Sequence, residues 1–399
     1  MAVIFRNGNV IVGTGEVIEK GAVTIDGNMI TFVGPTKRSR PSKKDKVFDI
    51  FGKSVLPGLI DAHVHLCLDG SPDPMASVSK DSTPQLTLKA AHHAHQTLEA
   101  GVTTIRDMGG RDYVDLAIRD GIESGLLQGP RMICSGRLVC MTGGHGWQFG
   151  REASGVDGVR EAVREQLKMG VNFIKLIATG GVMTKGVDPG ATQFTLEELM
   201  AGVEEAKKAG RRTATHAQGT EGIKNSLRAG VNSIEHGFFL DDEAIELMLE
   251  MNAYLVPTLN APYQIIRGGV KRGVPRYAVE KSKAVMKSHF QSVRRAYKSK
   301  IPIAMGTDAG TPFNCHGENL KEMELLVKAG MTPMEAIVAT TQTASEVLGF
   351  EKKIGTLEKG KLADLIVVDG NPLDDISLLQ KKDKMLAIMK EGQFYKCQL

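Results

Sequence analysis

His63 and His65 flank Val64 at the end of an apolar run, LPGLIDAHVH (56–65). In a strand, residues two apart share a face, so both imidazoles can reach one ion. An HxH pair alone equally fits a polar strand end with hydrogen-bonded histidines. His216 and His236 close the segments RRTATH and NSIEH, and either one by itself is more often a structural histidine. Asp308 ends IPIAMGTD and in isolation could cap the next loop. Lys175 lies in VNFIKLIA between Phe173, Ile174, Leu176 and Ile177. Burying an ammonium is costly, so it either snorkels out of its strand or pairs with a carboxylate. Coincidence decides the matter. Histidines and one aspartate end separate apolar segments, and together they offer the N/O donor set of a zinc-like site.

These residues need elements that bring them to one place. Between about 56 and 349, short apolar segments alternate with helical stretches, which predicts βαβ units and a parallel sheet. One local pattern recurs. Gly101-Val102 leads into TTIRD, Gly170-Val171 into NFIKL, Gly210 into RRTATH and Gly230-Val231 into NSIEHG. Each glycine suits the end of a helix, where a left-handed residue is needed. Eight candidate strands follow: 55–65, 103–107, 131–135, 173–177, 213–216, 233–236, 254–258 and 302–308. That number fits a (β/α)8 TIM barrel better than an open sheet, and in such barrels catalytic groups sit at the C-terminal strand ends. Asp107, Lys175, His216, His236 and Asp308 all fall there. Alternating stretches at 3–12 and 21–33, a hairpin signal at Asp26-Gly27-Asn28, and strand-like segments at 354–368 and 385–389 lie outside the barrel. They predict a small β-sandwich domain formed by both termini, residues 1–55 and 351–399, around a 56–350 barrel.

Composition narrows the function classes. The chain has 399 residues, 42% of them hydrophobic and 24% charged, as in soluble globular enzymes. Fifty basic side chains against 46 acidic give a net charge of +4, too small and too evenly spread to imply a nucleic-acid partner. The basic run at 37–46 reads as a solvated loop. No apolar stretch approaches the roughly 18–20 residues of a membrane span, and the opening MAVIFRNGNV has no signal-peptide pattern. Five scattered cysteines without a CxxC pair read as reduced thiols, which leads us to expect a cytoplasmic protein. A small-molecule substrate is expected, with no nucleic-acid or membrane partner.

The segment 56–65, with Lys175, His216, His236 and GTDAG (306–310), resembles the amidohydrolase superfamily. IGTLEKGKLADLIVVDGNP near the C-terminus is similar to that superfamily's returning sheet segment. Within it, TGGHG (142–146), ATGGV (178–182) and HAQGTEGI from His216 resemble the imidazolonepropionase-like branch, with its metal-dependent Xaa-Pro dipeptidases (prolidases) and related carboxypeptidases. The resemblance implies a binuclear centre with two divalent ions, zinc being the default for N/O ligation. His63, His65 and Asp308 would hold the first ion, and His216 and His236 the second. A Lys175 N6-carboxylated by CO2 would bridge both, together with a hydroxide that attacks the amide. Asp308 would act as general base and then general acid. His145 would bind the substrate carbonyl and stabilise the oxyanion. Gln218 stands where relatives often place Tyr or His, and if that position reads a substrate carboxylate, preference shifts from standard Xaa-Pro. Barrel enzymes of this kind often assemble, so a homo-oligomer is expected.

The resulting expectation is hydrolysis of a dipeptide (Xaa-Pro or similar) or an N-acyl amino acid, with a cyclic amide or imidazolone ring as the alternative substrate. Other candidates fall to simpler readings. His92, His93 and His95 read as a helix face, and Cys67 as a packed thiol. Gly180-Gly181 reads as a place of close backbone approach, since the Lys and Ser/Thr of a phosphate loop are missing. His316 and Glu318 fit either a pocket wall or a helix start.

Overall fold

A computed structural model describes residues 1–399. The N-terminal alternation forms β1 (Val3–Ile11), β2 (Val17–Asp26) and β3 (Met29–Pro35), antiparallel in sequence order. β4 (Lys46–Asp49) and β5 (Ser54–Pro57) then run parallel to the first and second halves of β1. The strand expected over 55–65 is therefore two strands, β5 and β6 (Leu59–Val64), split at Gly58. There the chain changes partners. Gly58 N donates to Asp364 O (2.9 Å) in the terminal sheet, whereas Leu59 N donates to Gly101 O (3.1 Å) in the barrel. A Cβ at position 58 would stand 2.2 Å from Thr103 Oγ1, so only glycine passes between the two layers.

The barrel has two parallel arcs. The first is β6, β7 (Val102–Asp107) and β8 (Arg131–Cys134). After β8 come two short strands, β9 (Val139–Met141) and β10 (Arg151–Ala153), beside the second arc. That arc is β11 (Phe173–Ile177), β12 (Arg212–Ala217), β13 (Ser233–His236) and β14 (Tyr254–Val256). The arcs meet where Asn172 N donates to Cys134 O at 2.8 Å. The eighth side, expected as a strand over 302–308, is held only by single bridges, Leu255 to Ile303 and Val64 to Ala309. Pro302 brings no N–H and Asp308 has a φ of 59°, so a regular ladder cannot form. Ala304 N to Leu255 O and Ala62 N to Met305 O, each 2.9 Å, nevertheless close the ring. Helices wrap the outside with apolar stripes inward, such as Val159, Ala162 and Val163 of the helix Gly155–Lys168. Two of the predicted helix-ending glycines, Gly170 and Gly230, have φ of 82° and 88°, values that a side chain would strain.

The last strands, β15 (Leu365–Val368), β16 (Met385–Lys390) and β17 (Gln393–Cys397), return to β5 and complete one eight-stranded sheet. Although β5, β15 and β16 separate β1 from β17 in the sheet, Phe5 and Phe394 stand 6.2 Å apart. The sheet thus curls over its own core of Phe5, Val23, Ile25, Val55 and Leu365, all buried. The fold is a TIM barrel with a β-sandwich domain built from both termini.

Candidate active site at the barrel mouth

β6 is bulged between Asp61 and Val64, and its last turn presents two imidazoles together. Nδ1 of His63 lies 2.8 Å from Glu235 Oε2, and Nδ1 of His65 lies 2.8 Å from Gly109 O. With each Nδ1 bound to an acceptor, both Nε2 atoms are free as lone-pair donors. They face Asp308 Oδ1 at 3.4 and 3.6 Å. The three donor atoms lie within 4.8 Å of one another, close enough for one ion. Burial opposes ionisation of Asp308. The facing His63, with His65 and Lys175, outweighs it and holds the carboxyl below the usual range. Burial pushes His65 down to about 4, so at neutral pH it is an uncharged donor.

The second arc supplies the rest. Lys175 ends 2% exposed in β11, and its Nζ has no hydrogen-bond partner. Burial, aided by the Arg106 charge and opposed by Glu235, lowers it to about 8. Neither alternative from the sequence holds: the side chain neither snorkels out nor forms an ion pair. His216 gives Nε2 to Gly180 O (3.0 Å), and His236 gives Nδ1 to Thr258 Oγ1 (2.6 Å). Their rings lie 4.4 Å apart, and His236 lies 5.0 Å from His63. Burial and the neighbouring histidines keep both far below 6.5, hence neutral.

Two supporting residues escaped the sequence reading. Glu235 is fully buried, and it accepts from His63, from Ser233 Oγ (2.6 Å) and from Arg106 Nη2 (2.9 Å). Arg106, 3% exposed, also reaches Ala62 O (2.7 Å) and Ser233 Oγ (3.1 Å). Although burial works against it, the Arg106 charge holds Glu235 down to about 2. The signal was present as an acid and a base inside the apolar segments NSIEH and TTIRD. Strand alternation hid it, because Glu235 and His236 are adjacent and should face opposite sides. His236 has a φ of 73°, which lets both side chains reach His63.

All six donor residues line one cavity of about 40 Å³, together with His145, Gln218 and apolar walls from Leu68, Phe149, Val182 and Met183. His145 stands 4.3 Å from the His216 ring, with Nδ1 2.7 Å from Thr184 Oγ1. Gly181 lies flat against it, and a Cβ there would come within 2.4 Å of the imidazole. Close backbone approach at Gly180-Gly181 thus serves His216 and His145. Gln218 is 2% exposed with Oε1 unpartnered. Cys67 is a buried thiol, raised by burial, and His93 holds Leu66 O (2.8 Å), so neither joins the site.

His316 does not line the cavity either. It binds Leu68 O at 3.0 Å, and burial, with His93 stacked 4.5 Å away, holds it down to about 3. Unfolded, it titrates near about 6.5. As pH falls from that value toward its folded one, only the unfolded chain gains the proton, and stability drops by about 1.4 kcal/mol per pH unit. His316→Gln keeps a donor for Leu68 O. It should flatten the acid slope of the urea-unfolding free energy by one proton; an unaltered slope would refute the assignment.

A closed parallel barrel with its polar cluster at the C-terminal strand ends is the layout of a barrel enzyme. The amidohydrolase family model matches residues 54–394, and the chain belongs to that family. It is a hydrolase acting on C–N bonds, from a family that generally uses metal ions. The chain is 30% identical to ochratoxinase of Aspergillus niger, over 98% of its own length and 86% of that protein's. A solved Xaa-Pro dipeptidase with methionine bound in its active site superposes with a TM-score of 0.91 at 35% identity, covering 99% of this chain and 100% of the other. A prolidase complexed with N-methylphosphonate-L-proline gives 0.91 at 29% identity, with both chains fully covered. The donor set fits divalent cations: imidazole nitrogens, one carboxylate, and a buried Lys175 Nζ left without any partner.

Proposed function

We propose that the protein is a metal-dependent hydrolase of dipeptides, Xaa-Pro or similar, or of N-acyl amino acids. One observation carries this reading: a small chamber lined half by apolar side chains, with the donor cluster, His145, Gln218 and Thr311 as its polar half. Such walls suit an apolar acyl or prolyl group with its amide turned toward the donors. The similarity to the two dipeptidase structures supports the same class.

In this proposal His63, His65 and Asp308 would hold one divalent ion and His216 and His236 a second, with an N6-carboxylated Lys175 as a further ligand, zinc being the natural occupant for this donor set. When bound, the ions acidify water and polarise the scissile carbonyl. Asp308, held ionised beside His63 and His65, would accept a proton from the attacking water and pass it to the leaving nitrogen. The amine needs this proton, because an amide anion is a poor leaving group. The Thr184 hydroxyl donates to His145 Nδ1, which leaves His145 Nε2–H to donate to the substrate carbonyl. Gln218 offers its amide NH2 to the carboxylate of a free dipeptide.

A second reading has specific support. Lys175 is the sole cationic side chain lining the cavity, with no arginine to pair with an α-carboxylate. That favours a cyclic amide or imidazolone-type ring. Protein reconstituted with zinc and bicarbonate, offered free dipeptides, their amides and N-acyl amino acids, separates the two. Amine release from free acids, lost on chelation and restored by zinc, is the expected result. Turnover of a cyclic amide alone would replace the first reading by the second.

A further inference from the structure

The cavity that holds the donor cluster measures about 40 Å³, whereas small-molecule sites run roughly 300–1,000 Å³. Some wall must therefore move before a substrate enters. Most of the walls are barrel strand ends or helices. Two loops of turns complete them, 142–150 with His145 and Phe149 and 181–189 with Val182 and Met183, and the second is the one whose carbonyls a single side chain from another element gathers. Its backbone hydrogen bonds within that span are local ones, Thr184 N to Gly181 O and Ala191 N to Asp188 O. Side chains fasten it to the rest of the molecule, and most come from the helix Arg276–Lys298. Lys281 Nζ donates to Thr184 O and Val187 O, each at 2.5 Å, and reaches Gly181 O at 3.5 Å. Tyr277 Oη donates to Met183 O at 3.2 Å. On its inner side the same loop touches His145 twice, through Thr184 Oγ1 and through Gly181.

We propose that loop 181–189 is the movable wall through which substrate enters, and that Lys281 is a positioning residue that latches it shut against His145. One ammonium collects carbonyls from both limbs of the turn, so the loop closes around a single point. When Lys281 lets go, Val182 and Met183 withdraw from the cavity. Thr184 leaves His145 Nδ1 in the same movement, so the carbonyl-binding imidazole is oriented only when the wall is shut. Closure excludes water and assembles the site at once. The effect on turnover rests on the reading of His145 given above; the latch itself does not.

Lys185 at the loop tip is exposed, which provides a direct readout. Brief trypsin treatment of the full-length protein, with the Lys185–Gly186 cut followed by mass spectrometry, reports how often the loop opens. In Lys281→Met that cut should run about ten- to a hundredfold faster, the loss expected for charge-assisted hydrogen bonds. Other tryptic sites and the melting temperature should change little. The variant's kcat on the best substrate should fall about tenfold while KM rises, and Tyr277→Phe should shift both readouts the same way but less. Lys281→Arg, which keeps donors to the carbonyls, should recover much of the protection. An unchanged Lys185 cut in Lys281→Met overturns the latch whatever the kinetics show. A faster cut with unchanged kcat overturns the link to His145. Should the wild-type protein cleave no dipeptide, the dipeptide reading falls, and the proteolysis still decides the latch.

Discussion

Asp308→Asn should lower kcat for amide hydrolysis by about a thousandfold, in the range of a lost proton-transfer group, while the protein stays folded. Asparagine keeps the size of the side chain, and among residues with a Cβ it tolerates the left-handed φ of 59° well. The local backbone anchor, Asp308 N to His63 O at 2.7 Å, does not involve the side chain. What disappears is the ionised oxygen facing His63 and His65 Nε2 at 3.4 and 3.6 Å. An amide cannot take up a proton from water and hand it to the departing nitrogen. The loss should appear mainly in kcat, because the interaction belongs to the transition state. Metal content measured on the same sample separates lost chemistry from lost occupancy. A variant within tenfold of wild type, with the site loaded, would remove Asp308 from the proposed role.

Arg106→Leu should cost about 3–5 kcal/mol of folding stability, because it leaves Glu235 as a buried charge without its cation. The guanidinium is held by three acceptors and lies 5.4 Å from the Phe173 ring, so its surroundings cannot relax into solvent. The functional loss follows through Glu235. Deprived of Arg106, that carboxyl rises from about 2 toward protonation. As a neutral acid it is a poorer acceptor for His63 Nδ1–H, and the tautomer that leaves Nε2 free is no longer enforced. About a ten- to hundredfold loss of metal affinity is expected. Adding Glu235→Gln to Arg106→Leu should return part of the stability, since the orphaned charge goes with it. Urea unfolding of the single and double variants measures both effects. A cost below about 1 kcal/mol for Arg106→Leu would mean that the pair is not a buried ion pair in this sense.

The barrel was legible because its punctuation is chemical. Glycines at helix ends and polar residues at strand ends repeat with the βα unit, and Lys175, His216, His236 and Asp308 stand in the cavity as that pattern predicts. Where the reading broke down, backbone conformation overrode periodicity. The run 55–65 looks like one strand because it is apolar on both sides of Gly58, and nothing local says that Gly58 passes from one sheet to another. Residues 302–308 have the composition of a strand but lack its ladder, for want of the Pro302 N–H. Glu235 was invisible for a related reason: alternation assigns it to the face opposite His236, and no single residue announces a φ of 73°. Thr258 and Thr184 could not be found at all, since hydroxyls that orient imidazoles carry no pattern of their own. His145 stood out only through resemblance, and its partner Thr184 lies 39 positions further along the chain.

The terminal sheet also fixes the order in which the molecule can be completed. β5 bonds on one side to β1 and on the other to β15, with Ser54 opposite Val368 and Val55 opposite Val367. A ribosome adding about 5–20 residues per second finishes β5 long before β15 emerges, and the whole barrel is synthesised in between. Through that interval the nascent chain carries an open, mostly apolar strand edge, the kind of surface that pairs with other chains. Barrel formation during translation therefore cannot shield it. The residues from β15 onward, 365–399, do, which makes C-terminal truncation before β15 a lesion of solubility as much as of shape.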